Sequence, residues 1–187
     1  MRAFLIAGLA AVAVAACTPA EDEHGALSEG CDARAVSTWN TPADPNASVE
    51  AITTGPDCAR AVATLIIRNG SGEPIYSETH LPSQVMTLAQ ASTQATMRMA
   101  LQEWVDPASN TTMQTSSALP EWPANADSPQ NGEFPFYPAE GSTRESYNAV
   151  RDANVPLYCY VQGMESLNCL AMSNGALESI GVQSFPG

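Results

Sequence analysis

Five cysteines constrain this chain more than any other feature. They stand at positions 17, 31, 58, 159 and 169 of 187 residues, and no two form a Cys-x-x-Cys. That spacing supports neither a zinc ribbon nor a thioredoxin-like redox pair. It fits disulfides, which persist outside the reducing cytoplasm. Cys17 is set apart from the other four by the residues that precede it.

Arg2 supplies one positive charge, and Phe4 to Val14 form an apolar run. The run is shorter than the roughly 20 apolar residues that cross a bilayer, so residues 1–16 read as a secretory signal. It ends in Val14-Ala15-Ala16-Cys17, an aliphatic residue, two small residues and a cysteine. This resembles the lipobox of bacterial lipoproteins, and the resemblance covers residues 1–17. It implies diacylglycerol on the Cys17 thiol, cleavage before Cys17, and acylation of the new amine with a palmitate-like chain. Two or three chains anchor far better than one, because each buried methylene adds roughly 0.8 kcal/mol. Thr18, where an Asp would retain such a protein in the inner membrane, implies outer-membrane delivery with the folded part facing the periplasm or the cell surface.

The expected organisation follows. Residues 1–16 are the signal, 17–30 a lipidated tether, and 31–187 a single domain. The tether carries Glu21, Asp22, Glu23 and Glu29 beside Pro19, Gly25 and Gly30, with little to bury. His24 lies within it and is discounted as a catalyst.

All seven cations are Arg, against 20 acids, for a formal charge of −13; loss of Arg2 with the signal makes it −14. The absence of Lys excludes a P-loop lysine, a Schiff-base lysine and a Ser–Lys dyad. The acidity argues against nucleic acid, because phosphate binding needs clustered cations. No cofactor signature and no Asp-x-Asp-x-Asp calcium loop occurs, so no cofactor or metal is expected.

Beyond Cys17, four cysteines allow three connectivities. The spacing favours Cys31–Cys58 and Cys159–Cys169. The second pair has a geometric reason. Residues 157–161 and 167–171 flank a short connection containing Gly163. If they pair with Val161 opposite Leu167, Cys159 falls opposite Cys169, and opposed residues in a non-hydrogen-bonded antiparallel pair lie about 4.5 Å apart at Cα. In the chain-entropy model each closure is worth roughly 3 kcal/mol.

Residues 33–39 read as a first strand and 59–68 as a second, with a partial Ala-Arg-Ala-Val-x-Thr echo too short to mean a repeat fold. Asn69-Gly70 then predicts a hairpin into Pro74–Thr79, since Asn-Gly supplies positive φ. Ser92 is the expected N-cap of a helix whose apolar stripe is Met97, Ala100, Leu101, Trp104 and Val105, stopped by Pro107. Residues 84–90 fit helix and strand equally. Residues 106–141 hold six prolines and no period, but also Trp122, Phe134, Phe136 and Tyr137, so this long loop is expected to lie on the domain. Ser142 and Glu145 match a capping box, opening a short helix with Tyr147 and Val150 inward. After the cysteine hairpin, Asn174-Gly175 predicts a turn into residues 177–185, with Met172 opposite Leu177 and Cys169 opposite Ile180. The fold expected is α+β: an antiparallel sheet, built from an N-terminal hairpin and a C-terminal three-stranded meander, covered by one or two helices and stapled by two disulfides.

No Gly-x-Ser-x-Gly, Ser-x-x-Lys or His-Glu-x-x-His occurs. His80 is the one histidine in the domain, with Glu78 on the same strand face and Ser83 nearby. A surface histidine at a strand end is the favoured reading; a hydrolase using His80 with Glu78 is the alternative. Glu103 and Asp106, at a helix C-terminus where negative charge is unfavourable, read as solvated.

The leading expectation is therefore a non-catalytic envelope lipoprotein whose domain binds another macromolecule or the cell wall. Trp122, Phe134, Phe136 and Tyr137 are the candidate contact residues, since loop aromatics anchor interfaces; they serve equally to cover the core. A sharper version is inhibition of a basic cell-wall hydrolase. The chain is similar to lysozyme inhibitors in class only, and an acidic domain would attract such an enzyme.

Overall fold

The computed structural model describes residues 30–110, 113–173 and 175–185. Cys17, His24, the signal and nearly all of the tether lie outside them. Eight strands form two antiparallel four-stranded sheets. The first is a meander in sequence order: β1 (Arg34–Thr38), β2 (Ser48–Thr54), β3 (Val62–Arg68) and β4 (Pro74–His80). The second runs β5-β8-β7-β6, from β5 (Phe136–Pro138), β6 (Leu157–Val161), β7 (Ser166–Ser173) and β8 (Ala176–Ser184). Two helices of substance, α1 (Gln94–Val105) and α3 (Arg144–Ala153), join a single turn, α2 (Pro107–Asn110).

The α+β class, the antiparallel pairing and both disulfides are as expected. The hairpin at Asn69 is β3–β4, and the C-terminal meander is β6–β7–β8. Each is widened by strands that carry no clear signal. β2 reads Ser-Val-Glu-Ala-Ile-Thr-Thr, and its alternation is legible only once Val49, Ala51 and Thr53 are known to be buried. β5 is three residues containing two of Phe136-Tyr137-Pro138's rings and a proline, too short to show a period.

The cysteine register is as derived, with Val161 opposite Leu167 and Cys159 opposite Cys169. Gln162 donates its N–H to Ser166 O, so even-numbered residues of β6 face β7 with their hydrogen bonds. Cys159 and Cys169 therefore form a non-hydrogen-bonded pair, 4.0 Å apart at Cα. Cys31 and Cys58 form the other disulfide. Across β7–β8, Met172 opposes Leu177 and Ser173 meets Ala176, with Gly175 at φ 83° in the turn; Asn174 lies outside the described residues. Cys169 opposes Gly181, not Ile180. A bulge between Cys169 and Leu170 admits one extra residue and shifts the register.

Both helix starts fall one residue later than expected. Thr93, not Ser92, caps α1: its hydroxyl accepts from Thr96 N, and Thr96 Oγ1 accepts from Thr93 N in return. Ser92 has Ala95 three residues on and cannot complete such a box. Thr143, not Ser142, caps α3 in the same way with Ser146. Ser142 belongs to the preceding turn, donating to Ala139 O, and Glu145 turns to Arg144 instead. Residues 82–84 form a 3-10 turn followed by further turns, burying Val85 and Leu88 and leaving Met86 exposed.

Two cores result. The first joins the inner face of sheet one (Val49, Ala51, Leu65, Ile67) to Met97, Leu101 and Trp104 of α1 and to Tyr158 and Tyr160 of β6. Small side chains at Ala35 and Ala51 mark the strands, β1 and β2, on which α1 rests. The second holds the Cys159–Cys169 disulfide with Leu157, Phe136, Ile180 and Tyr147 of α3. β6 alternates between them: Tyr158 and Tyr160 enter the first, Leu157 and Cys159 the second.

Candidate functional site

A polar cluster lies where the sheets meet. β4 presents Tyr76, Glu78 and His80 on one face, as period-two spacing requires. β6 presents Tyr160 to them from the second sheet. The Tyr76 and Tyr160 hydroxyls both donate to Glu78 Oε2, and the two hydroxyl oxygens are 2.8 Å apart. Asn168 Nδ2 of β7 donates to the Tyr160 hydroxyl at 3.2 Å, and Ser179 Oγ of β8 donates to Asn168 Oδ1 at 2.6 Å. One continuous chain of hydrogen bonds thus runs from the first sheet across three strands of the second.

The charge states follow from these contacts. Burial raises the pKa of both tyrosines, and the adjoining carboxylate raises them further, so they stay protonated. Partial burial works to raise the Glu78 pKa, but hydrogen bonds from Tyr160 and Tyr76 outweigh it and hold the carboxyl below 4.5. Two hydroxyl protons thus face an ionised acceptor, an arrangement suited to holding rather than to donating a proton.

His80 is not at the surface. Its side chain is 11% exposed and packs edge-on against Trp104 and Tyr160, with ring centroids 5.5 and 5.7 Å away. Burial lowers its pKa below 6.5, and Glu78 opposes that only in part. Nε2 is buried without a hydrogen-bond partner, and the nearest carboxylate oxygen, Glu78 Oε2, is 4.0 Å away. That exceeds hydrogen-bond reach, and a general base needs the proton it takes within about 2.6–3.2 Å or one water away.

The four candidate aromatics divide. Phe136 is 3% exposed and belongs to the second core. Trp122 packs edge-on against Tyr147 and donates its indole N–H to Ala126 O. Phe134 packs on Phe185 at 4.5 Å. Tyr137, on β5, is 59% exposed. Three of the residues that the sequence places in a loop thus pack on the body of the protein, and Tyr137 alone presents most of its ring to solvent. Asp106 is also engaged: its carboxylate accepts from Ala108 N and Ser109 Oγ, capping α2.

Two clefts of ligand-like size open elsewhere. One, of about 530 Å³, lies between the ends of β1 and β6 and is lined by Trp39, Thr41, Asp106, Met113, Leu157 and Tyr158 among others. The other, of about 540 Å³, lies beside the Cys31–Cys58 disulfide, between Asp57–Ala59 and residues 82–92. Among the described residues no group of three or more His, Cys, Asp or Glu side chains is placed to hold a metal ion. No helix of the described residues is long and apolar enough to cross a membrane. The chain matches no protein-family model, no curated protein and no solved structure.

Proposed function

We propose that this chain is an envelope lipoprotein, held to the outer membrane through acylated Cys17, whose folded part works outside the cytoplasm by binding another macromolecule. The observation that carries the reading is the cysteine count. The four cysteines beyond position 17 are consumed in two disulfides. Such bonds suit an oxidising compartment. They also leave the lipobox cysteine free for its own chemistry.

Binding, rather than catalysis, is favoured by the state of the polar cluster: Glu78 is occupied by two tyrosines and His80 lacks a partner in reach. The charge favours a cationic partner. Arg34 and Arg68 both pair with Glu50, Arg60 with Asp57, Arg144 with Glu145 and Arg151 with Asp152, so most arginines are already spent against acids. The excess negative charge steers a basic protein toward the domain, with an on-rate that falls as salt screens it. A basic cell-wall hydrolase is the specific partner we favour.

Metabolic labelling with a palmitate analogue tests the anchor: label on the native chain and none on Cys17→Ser is expected, and an unlabelled native chain overturns it. Titration against a cationic lysozyme at low and physiological salt tests the partner. Inhibition that weakens with salt is expected; none in either buffer removes the hydrolase.

A further inference from the structure

We propose that the surface formed by Leu81, Met86 and Met164 rests against the bilayer that holds the Cys17 anchor. The inference rests on the lipoprotein reading above and adds an orientation to it. These three side chains are 49%, 55% and 51% exposed, among the largest apolar groups left open to solvent. They are drawn together by the fold. Leu81 follows β4 and opens the 3-10 turn of Pro82–Gln84. That turn leads to Met86, whose N–H donates to Gly163 O at 3.2 Å, beside Met164 in the β6–β7 connection.

The segment that carries Leu81 and Met86 is unlike the rest of the chain. Residues 81–97 contain no Asp, Glu, Lys, Arg or His, in a protein with 20 acids. A face turned to lipid headgroups lowers like-charge repulsion and carboxylate desolvation by carrying few acids; Glu165, exposed beside Met164, is one it retains. Methionine and leucine, flexible and uncharged, suit shallow burial at the acyl boundary.

The anchor ends on the same side. Cys31, where the tether meets the folded part, is bonded to Cys58. Cys58 lines one cleft with Pro82, Ser83 and Leu88, the segment that carries Leu81 and Met86. Only residues 18–29 separate Cys17 from Gly30, which precedes Cys31 of the disulfide. The thirteen residue steps from Cys17 to Gly30 reach at most about 45 Å even when fully extended, so Gly30 is held within that distance of the bilayer. Met99, on α1, is more exposed at 67%, and Val62, Val36 and Tyr137, on β3, β1 and β5, are comparably exposed, but all four lie outside the 81–86 segment and the β6–β7 connection.

The test uses the full lipidated protein in phosphatidylethanolamine–phosphatidylglycerol vesicles containing a phospholipid with a photoreactive acyl chain, with adducts mapped by mass spectrometry. Label on Leu81, Met86 and Met164 should exceed that on Val36 and Tyr137. In the Met86→Glu, Met164→Glu variant, label on Leu81 should fall to the level of Val36. Even labelling of all five residues, with Cys17 acylated, overturns this orientation and leaves the anchor standing. Chain-to-chain crosslinks over residues 81–86 in place of lipid adducts mean that a second copy covers the patch, and also overturn it. A Cys17 found unmodified in the same spectra overturns both readings.

Discussion

The Tyr160 hydroxyl, on the second sheet, donates to the carboxylate of Glu78, on the first. Residues 82 positions apart in sequence are thereby locked across the sheet junction. A hydrogen bond to a charged group contributes about 1.5–3 kcal/mol when buried; with Glu78 at 42% exposure, Tyr160→Phe should cost about 1–2 kcal/mol in urea unfolding. A double-mutant cycle with Glu78→Ala should return a coupling of at least about 0.5 kcal/mol. Strict additivity would mean that the contact contributes nothing.

His80 makes stability depend on pH. Its pKa is lowered in the fold, so between the folded value and 6.5 the unfolded chain binds more protons. Its contribution is fully present above about pH 6.5 and is lost as pH falls through that window toward the folded value. The depressed Glu78 and Glu50 carboxyls act lower: their contributions are present above 4.5 and are lost as pH drops through their folded values. Melting temperature should therefore decline in two stages on acidification. His80→Phe, which removes the titrating ring while keeping contact with Trp104, should abolish the first stage only. A first stage that persists in this variant assigns it to another group.

The two disulfides close loops of different length, with sequence separations of 27 and 10. Chain entropy alone then gives about 3.6 kcal/mol for Cys31–Cys58 and about 2.7 kcal/mol for Cys159–Cys169. Replacing each pair by alanines and measuring guanidinium unfolding checks the order. Both losses should exceed their entropic shares, because Cys31 and Cys58 are buried in the first core and Cys159 and Cys169 in the second, and their removal also leaves cavities.

Phe136 and Tyr137 are neighbours with opposite roles. Phe136→Ala should cost about 3–5 kcal/mol, as a buried ring lost from a core does. Tyr137→Ala should leave stability within about 0.5 kcal/mol. Tyr137 is therefore the clean probe of partner binding among the candidate aromatics: its substitution should weaken capture of a basic partner without unfolding. Unchanged capture would remove β5 from the contact surface.

Gly181 is held to glycine by geometry. Its φ is 151°, and a Cβ there would strike Tyr137 O and the Phe136 ring, the nearest ring atom at 2.5 Å. Gly181→Ala should cost about 1–3 kcal/mol through displacement of β5, read as faster amide exchange along β5 relative to β7.

Local order was legible wherever a few neighbouring residues settle it. The Asn69 hairpin follows from the Asn-Gly turn signal, although the positive φ falls at Gly72 and not at Asn69 or Gly70, and the α1 stripe needs only the 3.6-residue period. The Cys159–Cys169 pair follows from counting outward from one short turn. Legibility failed where two adjacent residues compete for one role. Ser92 and Thr93 both cap well, and the hydroxyl three residues on decides between them. It failed again at the Cys169–Leu170 bulge, since an extra residue is accommodated by the partner strand and leaves no mark in its own.

The candidate site divides along the same line. Alternation alone places Tyr76, Glu78 and His80 on one face of β4, because a strand's side chains have a period of two whatever it packs against. That Tyr160 meets Glu78, that Trp104 covers His80, and that the strands part into two sheets were settled by tertiary packing. Those contacts join segments more than 20 residues apart, and their free energy comes from water excluded between surfaces that exist only once both sheets have formed.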